Sequence, residues 1–287
     1  MEDRPLGTFE QHAGTLLVLS SSSSGNCSAL VVRTALRPRL FLIDAGLSPR
    51  RTFALLAAAG LGDLEVEAVL LTHLDSDHWN TGWLAALPER TVVHLHRAHR
   101  GRADRCGVTY ARTEFFESSI ALCDEAKGGV HLNAHDDLGT ASFRIRVGDD
   151  GAELGFATDV GRVTAGLIDF LHGCDVLAIE SNYCPVMQLA SPRPQFLKDR
   201  IMGGTGHLSN EQSASAVRAI APREHVVLLH LSRQCNTPQT ARRHHAHAVP
   251  VTVAHADEPT TPIPLRRGNA PRAPTVRFAH KQPSLFS

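Results

Sequence analysis

The sequence lacks both the long apolar run of a membrane protein and the leader of a secreted one. Its apolar runs are far shorter than the roughly 18 residues that a bilayer-spanning helix requires. Residues 1–10 carry acidic side chains and do not follow the basic-then-apolar order of a signal peptide. We therefore expect a cytoplasmic protein with no membrane-spanning segment.

The sequence also contains no Cys-x-x-Cys pair. Its six cysteines are scattered along a chain of 287 residues. This arrangement argues against a zinc ribbon and against a disulfide framework. We interpret the cysteines as reduced core or pocket residues.

Neither sign of charge is in excess. Lysine and arginine together number 29, as do aspartate and glutamate, so the overall charge signature of a dedicated nucleic-acid-binding protein is absent. One short segment is nevertheless basic, and its arginines are Arg97, Arg100, Arg102, Arg105 and Arg112. They are either a solvated face or contacts for the phosphates of a substrate or partner.

The composition is that of a soluble globular protein, with 43% hydrophobic and 20% charged residues. A chain of this size can bury a full core as one large domain or at most two. We assign residues 1–256 to the folded domain. Residues 257–287 are rich in proline and arginine and show no periodicity, which predicts a disordered or loosely attached tail.

Short apolar runs separated by turn residues predict a mixed α/β fold. The predicted strands are 15–19, 29–32, 40–43, 68–72, 91–95, 142–147, 154–157, 176–180 and 226–231. The predicted helices are 49–59, 161–172 and 210–220. For the first helix, Ser48 is the expected N-cap, Pro49 the first helical residue and Gly60 the stop signal.

The most informative segment follows the predicted strand 68–72. Four potential metal ligands, His73, Asp75, Asp77 and His78, occupy six consecutive positions there. A loop after a strand can turn His73 and Asp75 to one side and Asp77 and His78 to the other, so that two cations share it. The alternative is a solvated acidic turn with two incidental histidines, which would not need a preceding apolar strand.

Three more ligand-type residues follow later apolar runs. His135 follows a predicted strand, and Asp159 and His230 stand at the ends of two others. Taken singly, His135 could lie in a surface turn, Asp159 could be a helix N-cap and His230 could be a core histidine. Their order after the His73 cluster favours a metal site.

His207 is the best candidate for a catalytic group that is not a metal ligand. It lies in Gly206-His207-Leu208-Ser209-Asn210, just before a predicted helix. It can bind a phosphate oxygen or protonate a leaving group, or it can only anchor the loop. The serine-rich run 20–26 also has two interpretations, a loop that binds phosphate or a tight turn. It lacks the Gly-Lys-Ser/Thr sequence that ends a nucleotide-binding P-loop.

The segment from His73 to His78 resembles the His-x-His-x-Asp-His signature of the metallo-β-lactamase-fold hydrolases. It departs from that signature at one position, where Asp75 replaces the second histidine. A carboxylate oxygen binds zinc at about the same distance as an imidazole nitrogen. The replacement should shift the site toward harder metals such as manganese or iron.

Other motifs are similar to those of the WalJ-type (YycJ-like) branch of this family. They are the Ser20–Cys27 run, Asp44-Ala45-Gly46, Glu180-Ser181-Asn182, Gly206-His207-Leu208-Ser209-Asn210 and His230-Leu231-Ser232. The resemblance covers about residues 14–240. After Glu180-Ser181-Asn182 the chain departs from the branch, because Tyr183-Cys184 replaces its His-Asp.

The resemblance implies a four-layer αββα fold with a dinuclear site at one edge of the sandwich. It further implies that His73, Asp75 and His135 hold one divalent ion (zinc or manganese, with iron as a further possibility). Asp77, His78 and His230 would hold the other, with Asp159 bridging. His131, four residues before His135, is an alternative ligand, but His135 matches the family motif.

The same resemblance implies hydrolysis by a hydroxide that bridges the two metals, with Asp77 able to orient it. A phosphodiesterase, specifically a DNA exonuclease, is the leading function. Hydrolysis of a small ester, lactone or thioester is the second, and a non-enzymatic, metal-bound interaction module is the third. The expected partner is a phosphodiester, including nucleic acid, or a small-molecule substrate.

Overall fold

A computed structural model of the protein describes residues 12–110, 112–246 and 249–268. The strands of this part of the chain are β1 (Gly14–Ser20), β2 (Cys27–Arg33), β3 (Pro38–Ile43), β4 (Val66–Leu71), β5 (Val92–His96), β6 (Thr113–Phe116), β7 (Ser119–Cys123), β8 (Ala126–Asn133), β9 (Thr140–Val147), β10 (Ala152–Ala157), β11 (Val176–Glu180), β12 (His225–Leu229), β13 (Val251–Val253) and β14 (Ile263–Leu265).

The α-helices of the described residues are α1 (Pro49–Ala58), α2 (Arg100–Arg105), α3 (Ala165–Leu171), α4 (Pro185–Ala190), α5 (Gln195–Met202), α6 (Asn210–Ile220) and α7 (Pro238–His244). Short 3-10 helices cover Thr81–Ala85, Arg97–His99 and Val108–Tyr110.

Two seven-stranded sheets form the centre of the fold. One has the order β14-β1-β2-β3-β4-β5-β6 and the other β13-β12-β11-β10-β9-β8-β7. Strands β3 to β6 are parallel in the first sheet, and β10 to β13 are parallel in the second. The remaining pairs are antiparallel.

The fold has four layers: helices, the first sheet, the second sheet and further helices. An apolar cluster fills each of the three spaces between them. Residues such as Phe41 and Phe143 fill the space between the two sheets. Leu56 and Trp83 cover the outer face of the first sheet, and Leu167 on α3 belongs to the cluster on the outer face of the second. This is the four-layer αββα sandwich expected from the sequence.

Local sequence explains where two predicted helices begin and end. The side chain of Ser48 accepts a hydrogen bond from the Arg51 amide, Pro49 is the first residue of α1, and Gly60 after its end has φ +78°. Ser209 and Gln212 form a reciprocal capping box at the start of α6.

The secondary structure differs from the prediction in several places, and the helices α2, α4, α5 and α7 and the strand β13 were not predicted. The predicted helix 161–172 begins only at Ala165, because the side chain of Thr164 accepts a hydrogen bond from the Leu167 amide and caps the helix there. Strands β6, β7 and β8 were not predicted individually, since their burial is intermittent and gives only a weak alternation.

The boundary of the folded domain also differs from the prediction. Residues 257–268 are not a loose tail, because β14 pairs with β1 and buries Ile263 and Leu265. Pro264 is compatible with this strand because β14 lies at the edge of the sheet. The domain therefore extends at least to Gly268, and the rest of the predicted tail, 269–287, lies outside the described residues.

No helix of the described residues is long and apolar enough to cross a membrane.

The six cysteines are all free, as expected from their spacing.

Candidate metal centre

The ligand-type side chains predicted from the sequence converge at one edge of the sandwich. The loop after β4 carries His73 to His78, whereas Asp159 follows β10 and His230 directly follows β12. All three strands belong to the parallel parts of their sheets. Their carboxyl ends lie at the same edge, as is usual for sites in parallel sheets.

Four groups of described side chains offer ligand atoms close enough to hold a metal ion. Two of them contain six of the predicted ligands, and the other two bring in His207 and Asp75. Of the first two, one consists of His73, His135 and Asp159, and the other of Asp77, His78 and His230. Within each group the ligand atoms lie within 4.8 Å of one another. Asp77, His78 and His230 are the set predicted for one ion, whereas the other group contains His73 and His135 as predicted and Asp159 in place of Asp75.

Asp159 lies between these two groups. Its Oδ2 is 2.9 Å from His78 Nε2, and its Oδ1 is 3.3 Å from His230 Nε2. Although burial disfavours the charged carboxylate, the imidazoles of His230 and His78 hold the pKa of Asp159 well below its usual value. This central position is the one that a bridging ligand requires.

The backbone at two of these positions is left-handed. Asp159 has φ +51° and His230 has φ +56°. Aspartate and histidine are among the residues that adopt this conformation more readily, yet it carries a cost that commonly coincides with functional sites. At both strand ends the backbone turns sharply at the residue whose side chain lines the cleft.

Each of the four histidines in these two groups uses its Nδ1 for a neighbour and turns its Nε2 toward the centre, where His78 Nε2 also lies 3.1 Å from Asn26 Nδ2. His135 Nδ1 donates to the Gly206 carbonyl at 2.9 Å, and His230 Nδ1 donates to Asn26 Oδ1 at 3.1 Å. His78 Nδ1 lies 2.8 Å from Asp44 Oδ2. Such contacts fix the ring orientation and the tautomer of metal-binding histidines.

His73 completes this pattern and shows that the site suits a metal. Its Nδ1 lies 3.0 Å from Thr72 Oγ1, whereas its buried Nε2 has no hydrogen-bond partner. Burial and the neighbouring imidazole of His78 lower the pKa of His73 well below its ordinary value, so the ring is neutral. A neutral, buried imidazole nitrogen without a partner is the donor that a divalent metal needs.

Asp44 supports the ligand loop from the neighbouring strand end. Its Oδ1 accepts a hydrogen bond from the Thr72 amide at 2.8 Å, and its Oδ2 contacts His78. Although burial disfavours the charged ring, the carboxylates of Asp159 and Asp44 raise the pKa of His78 well above its ordinary value. Asp44 belongs to a motif quoted from the sequence, but its contact with His78 was not predicted.

A comparison with known families gives a match over most of the chain. The model of the β-lactamase superfamily domain matches residues 39–231. This chain belongs to the β-lactamase superfamily. The matched segment begins in β3 and ends just after His230, so it includes every ligand candidate named above.

The curated relatives that match confirm the resemblance to the WalJ-type branch. The chain is 28% identical to the exodeoxyribonuclease YycJ of Bacillus anthracis, over 78% of this chain and 85% of that protein. It is also 28% identical to the exodeoxyribonuclease WalJ of Streptococcus pneumoniae serotype 2, over 78% of this chain and 84% of that protein.

Solved structures confirm the fold. A diphosphatase of the PhnP family has a TM-score of 0.61 at 17% identity and covers 88% of this chain and 98% of its own. Zinc-bound PqqB from Methylobacterium extorquens has a TM-score of 0.62 at 15% identity, over 86% of this chain and 99% of its own. Family and ligand clusters together identify a metal-dependent hydrolase.

Asp75, at the position where the motif has histidine, has a basic partner. Its Oδ1 lies 2.7 Å from Arg102 Nη1, and its Oδ2 lies 3.7 Å from His73 Nε2. Asp75 also groups with His135 and Asp136 in a further set of potential ligands. One carboxylate oxygen is therefore held by Arg102, and the other faces the first group of ligands.

His207 lies beside the centre and is held by Glu180. Its Nδ1 is 3.4 Å from Glu180 Oε2 and 3.3 Å from Asp159 Oδ1. Although burial opposes the charge, the contact with Glu180 and the charges of Glu180 and Asp159 raise the pKa of His207 to about 9. The second oxygen of Glu180 accepts a hydrogen bond from the Leu208 amide.

The alternative ligand His131 lies elsewhere. Its ring stacks on Phe170 of α3 with a centroid distance of 5.6 Å, and it belongs to none of the ligand groups found among the described residues. Burial lowers its pKa. The geometry therefore favours His135 over His131.

A cleft of about 720 Å³ opens onto the metal centre. Asp77, Asp159, His207 and His230 lie in its wall. Residues that were not predicted as site residues also line it, and they include Arg193, Arg200, Arg233 and Gln234. The arginines are spread over the chain between β11 and β13, so only the fold brings them together.

The basic segment noted in the sequence does not form one face toward this cleft. Of its members only Arg102 reaches the centre, through Asp75. Arg97 pairs with Glu117 at 2.8 Å, and Arg100 lies over the ring of Phe115. The interpretation of this segment as a single set of phosphate contacts is therefore not supported by its geometry.

Proposed function

We propose that the protein is a dinuclear metal-dependent phosphodiesterase that degrades DNA from an end. The observation that carries the proposal is the pair of ligand groups joined at Asp159, at the base of a cleft lined by arginines. The similarity to two exodeoxyribonucleases supports DNA as the substrate.

In this proposal His73 and His135 bind the first ion together with the free oxygen of Asp75. Asp77, His78 and His230 bind the second, and Asp159 is shared by both. Imidazole and carboxylate donors suit zinc, manganese and iron. When bound, divalent ions lower the pKa of a coordinated water and stabilise charge on a phosphoryl oxygen.

The charge of the cleft fits an anionic substrate once ions are present. Three carboxylates (Asp75, Asp77 and Asp159) and three arginines (Arg193, Arg200 and Arg233) line it. Side-chain charges therefore balance, and two divalent ions would leave the cleft positive. A phosphodiester would then be attracted, although the chain as a whole carries no net charge.

The protein itself contributes orientation and a proton. Asp44, Asn26 and the Gly206 carbonyl hold the imidazoles of His78, His230 and His135 in place. Glu180 holds His207, and this contact favours the protonated ring. We assign to His207 the donation of that proton to the leaving oxygen, and to Asp77 a place in both metal binding and catalysis.

The experiment that tests the function uses purified protein supplied with manganese or zinc. We expect release of nucleotides from linear DNA labelled at one end, no cleavage of the same DNA when it is covalently closed, and hydrolysis of bis-p-nitrophenyl phosphate. The Asp77→Ala variant should be inactive on all substrates. Turnover of lactones, esters or thioesters without any phosphodiester cleavage would contradict the proposal, as would a folded protein that binds metal and hydrolyses nothing.

A further inference from the structure

Arg193 lies in the wall of the metal cleft and differs from the other arginines there in its partners. Arg200 pairs with Asp136 at 2.6 Å, and Arg233 lies 3.6 Å from Asp257. Among the described residues no carboxylate pairs with Arg193. Its positive charge is thus not balanced by a carboxylate.

Three neutral acceptors hold the guanidinium of Arg193. Its Nε donates to Gln234 Oε1 at 3.1 Å, its Nη1 to Gln188 Oε1 at 3.2 Å and its Nη2 to Ser232 Oγ at 3.3 Å. A guanidinium has five N–H groups, so two remain for another acceptor. The side chain is fixed in position while part of its donor capacity is unused.

Two of the three residues that hold Arg193 are themselves fixed, whereas Gln234 is exposed. Gln188 on α4 and Ser232 are both buried. Ser232 Oγ also accepts a hydrogen bond from the Cys235 amide at 3.2 Å, and the Cys184 amide before α4 donates to the Cys235 carbonyl at 2.8 Å. Gln188 and Ser232 are therefore part of the folded framework.

The position of Arg193 relative to the metal centre is set by one short loop. His230, a proposed metal ligand, Ser232 and Gln234 follow one another in this loop after β12. Two of the three acceptors of Arg193 are therefore within four residues of a ligand. A substrate group bound to Arg193 would lie at a fixed distance from the reacting phosphate.

A partly buried cation without a counter-charge costs free energy unless a ligand supplies one. Arginine is also the side chain that best matches a phosphate, because its planar fork can donate two hydrogen bonds. Resting on the proposed phosphodiesterase function, we propose that Arg193 binds a second phosphate of the DNA strand, beside the phosphate being cleaved. Arg193 thereby selects nucleic acid strands over diesters with a single phosphate.

The first test compares two substrates that differ in the number of phosphates. Bis-p-nitrophenyl phosphate has one, whereas a thymidine trinucleotide has a second phosphate beside the scissile one. Arg193→Gln should lower kcat/KM for the trinucleotide by about 10–100-fold, the size expected for a lost charged hydrogen bond, and should lower it far less for bis-p-nitrophenyl phosphate. Arg218, an exposed residue of α6 outside the cleft, provides the matched control, and Arg218→Gln should change neither value.

A second experiment changes the substrate and compares the unmodified protein with Arg193→Gln. Replacing the non-scissile linkage of the trinucleotide by a neutral methylphosphonate should lower kcat/KM for the unmodified protein by a similar factor, and should have little effect on Arg193→Gln. Equal activity of the unmodified protein on both trinucleotides would overturn the role of Arg193. A loss of activity on bis-p-nitrophenyl phosphate equal to that on the trinucleotide would also overturn it.

A binding measurement distinguishes a failure of the proposed Arg193 subsite from a failure of the proposed function. The affinity of a fluorescent tetrathymidylate, measured by anisotropy in the presence of EDTA, should fall in Arg193→Gln and not in Arg218→Gln. If the unmodified protein cleaves DNA but Arg193→Gln binds and cleaves it equally well, the subsite is wrong and the function stands. If no phosphodiester is cleaved but binding depends on Arg193, the function is wrong and the anion subsite stands.

Discussion

The carboxylate of Asp75 lies 2.7 Å from the guanidinium of Arg102, at the one position where the metal-binding motif departs from the family pattern. A carboxylate in place of an imidazole adds a negative charge to the centre. Arg102 on α2 offsets that charge and occupies one of the two carboxylate oxygens. The aspartate at position 75, where the family motif has histidine, is therefore accompanied by a basic partner, Arg102, 27 positions later in the chain.

Metal preference should depend on Asp75. Because carboxylate oxygen is a harder donor than imidazole nitrogen, manganese should support activity at least as well as zinc. Asp75→His should move the preference toward zinc, whereas Arg102→Gln keeps the carboxylate and should keep the original order. The measurement is kcat/KM on bis-p-nitrophenyl phosphate with each metal. An identical order in the protein and in Asp75→His would show that ligand hardness does not control the choice.

His207 should act on the leaving group rather than only on the fold. If it donates a proton, His207→Gln should lower kcat by about 100-fold for DNA, whose leaving oxygen is a poor leaving group. The loss should be much smaller for bis-p-nitrophenyl phosphate, because p-nitrophenolate leaves without a proton. Glu180→Gln removes the negative charge beside His207. It should therefore lower kcat more for DNA than for bis-p-nitrophenyl phosphate, but by a smaller factor than His207→Gln. Equal losses on both substrates, together with a lower melting temperature, would assign the histidine to anchoring the loop.

Gly46 should be essential for the ligand loop. A Cβ at this position would overlap the backbone carbonyl of Asp77 and crowd the amide of Asn26. Gly46→Ala should therefore lower the free energy of unfolding by about 1–3 kcal/mol and weaken metal binding. Gly101→Ala is the matched control, because a Cβ there meets only the flexible end of Arg105 at 3.6 Å. Denaturant unfolding and metal titration would measure both effects, and metal affinity unchanged in Gly46→Ala would count against this packing argument.

Stability should fall in mild acid because of buried histidines. Burial lowers the pKa of His99 from 6.5 to about 4. The folded pKa lies below the unfolded one, so this contribution is fully present above about pH 6.5 and is lost as the pH falls toward 4. The full loss is about 3 kcal/mol for this residue, since each pKa unit corresponds to about 1.4 kcal/mol.

The measurement is the free energy of unfolding of metal-free protein between pH 7 and pH 4. His99→Gln should reduce the slope of stability against pH over this range, while the buried His73 continues to contribute. A slope that is the same in the variant would show that His99 is not the source.

Much of the fold could be predicted from the sequence because its strands are strongly apolar. The strand Val176–Glu180 and the helix Asn210–Ile220 were predicted with their observed bounds, since one is fully buried and the other is capped by Ser209. The edge strand Ile263–Leu265 was missed, because three residues with a central proline among polar neighbours give no strand signal. Its stability comes from pairing with β1.

The candidate ligands could be predicted because each follows an apolar strand and matches a family motif. Their supporting partners could not, since the contacts of Asp44 with His78 and of Asn26 with His230 join residues 34 and 204 positions apart. The same holds for Arg193, whose significance depends on its having no carboxylate partner among the described residues. Local sequence carries no information on such an absence.

The number of divalent ions bound per folded chain is the most direct test of the central claim. We would measure it by inductively coupled plasma mass spectrometry on protein loaded with manganese or zinc and freed of excess metal. The two ligand groups joined at Asp159 predict about two ions per chain, and fewer in Asp159→Asn, because both ions would share this carboxylate. An active preparation that holds no divalent ion would contradict the account.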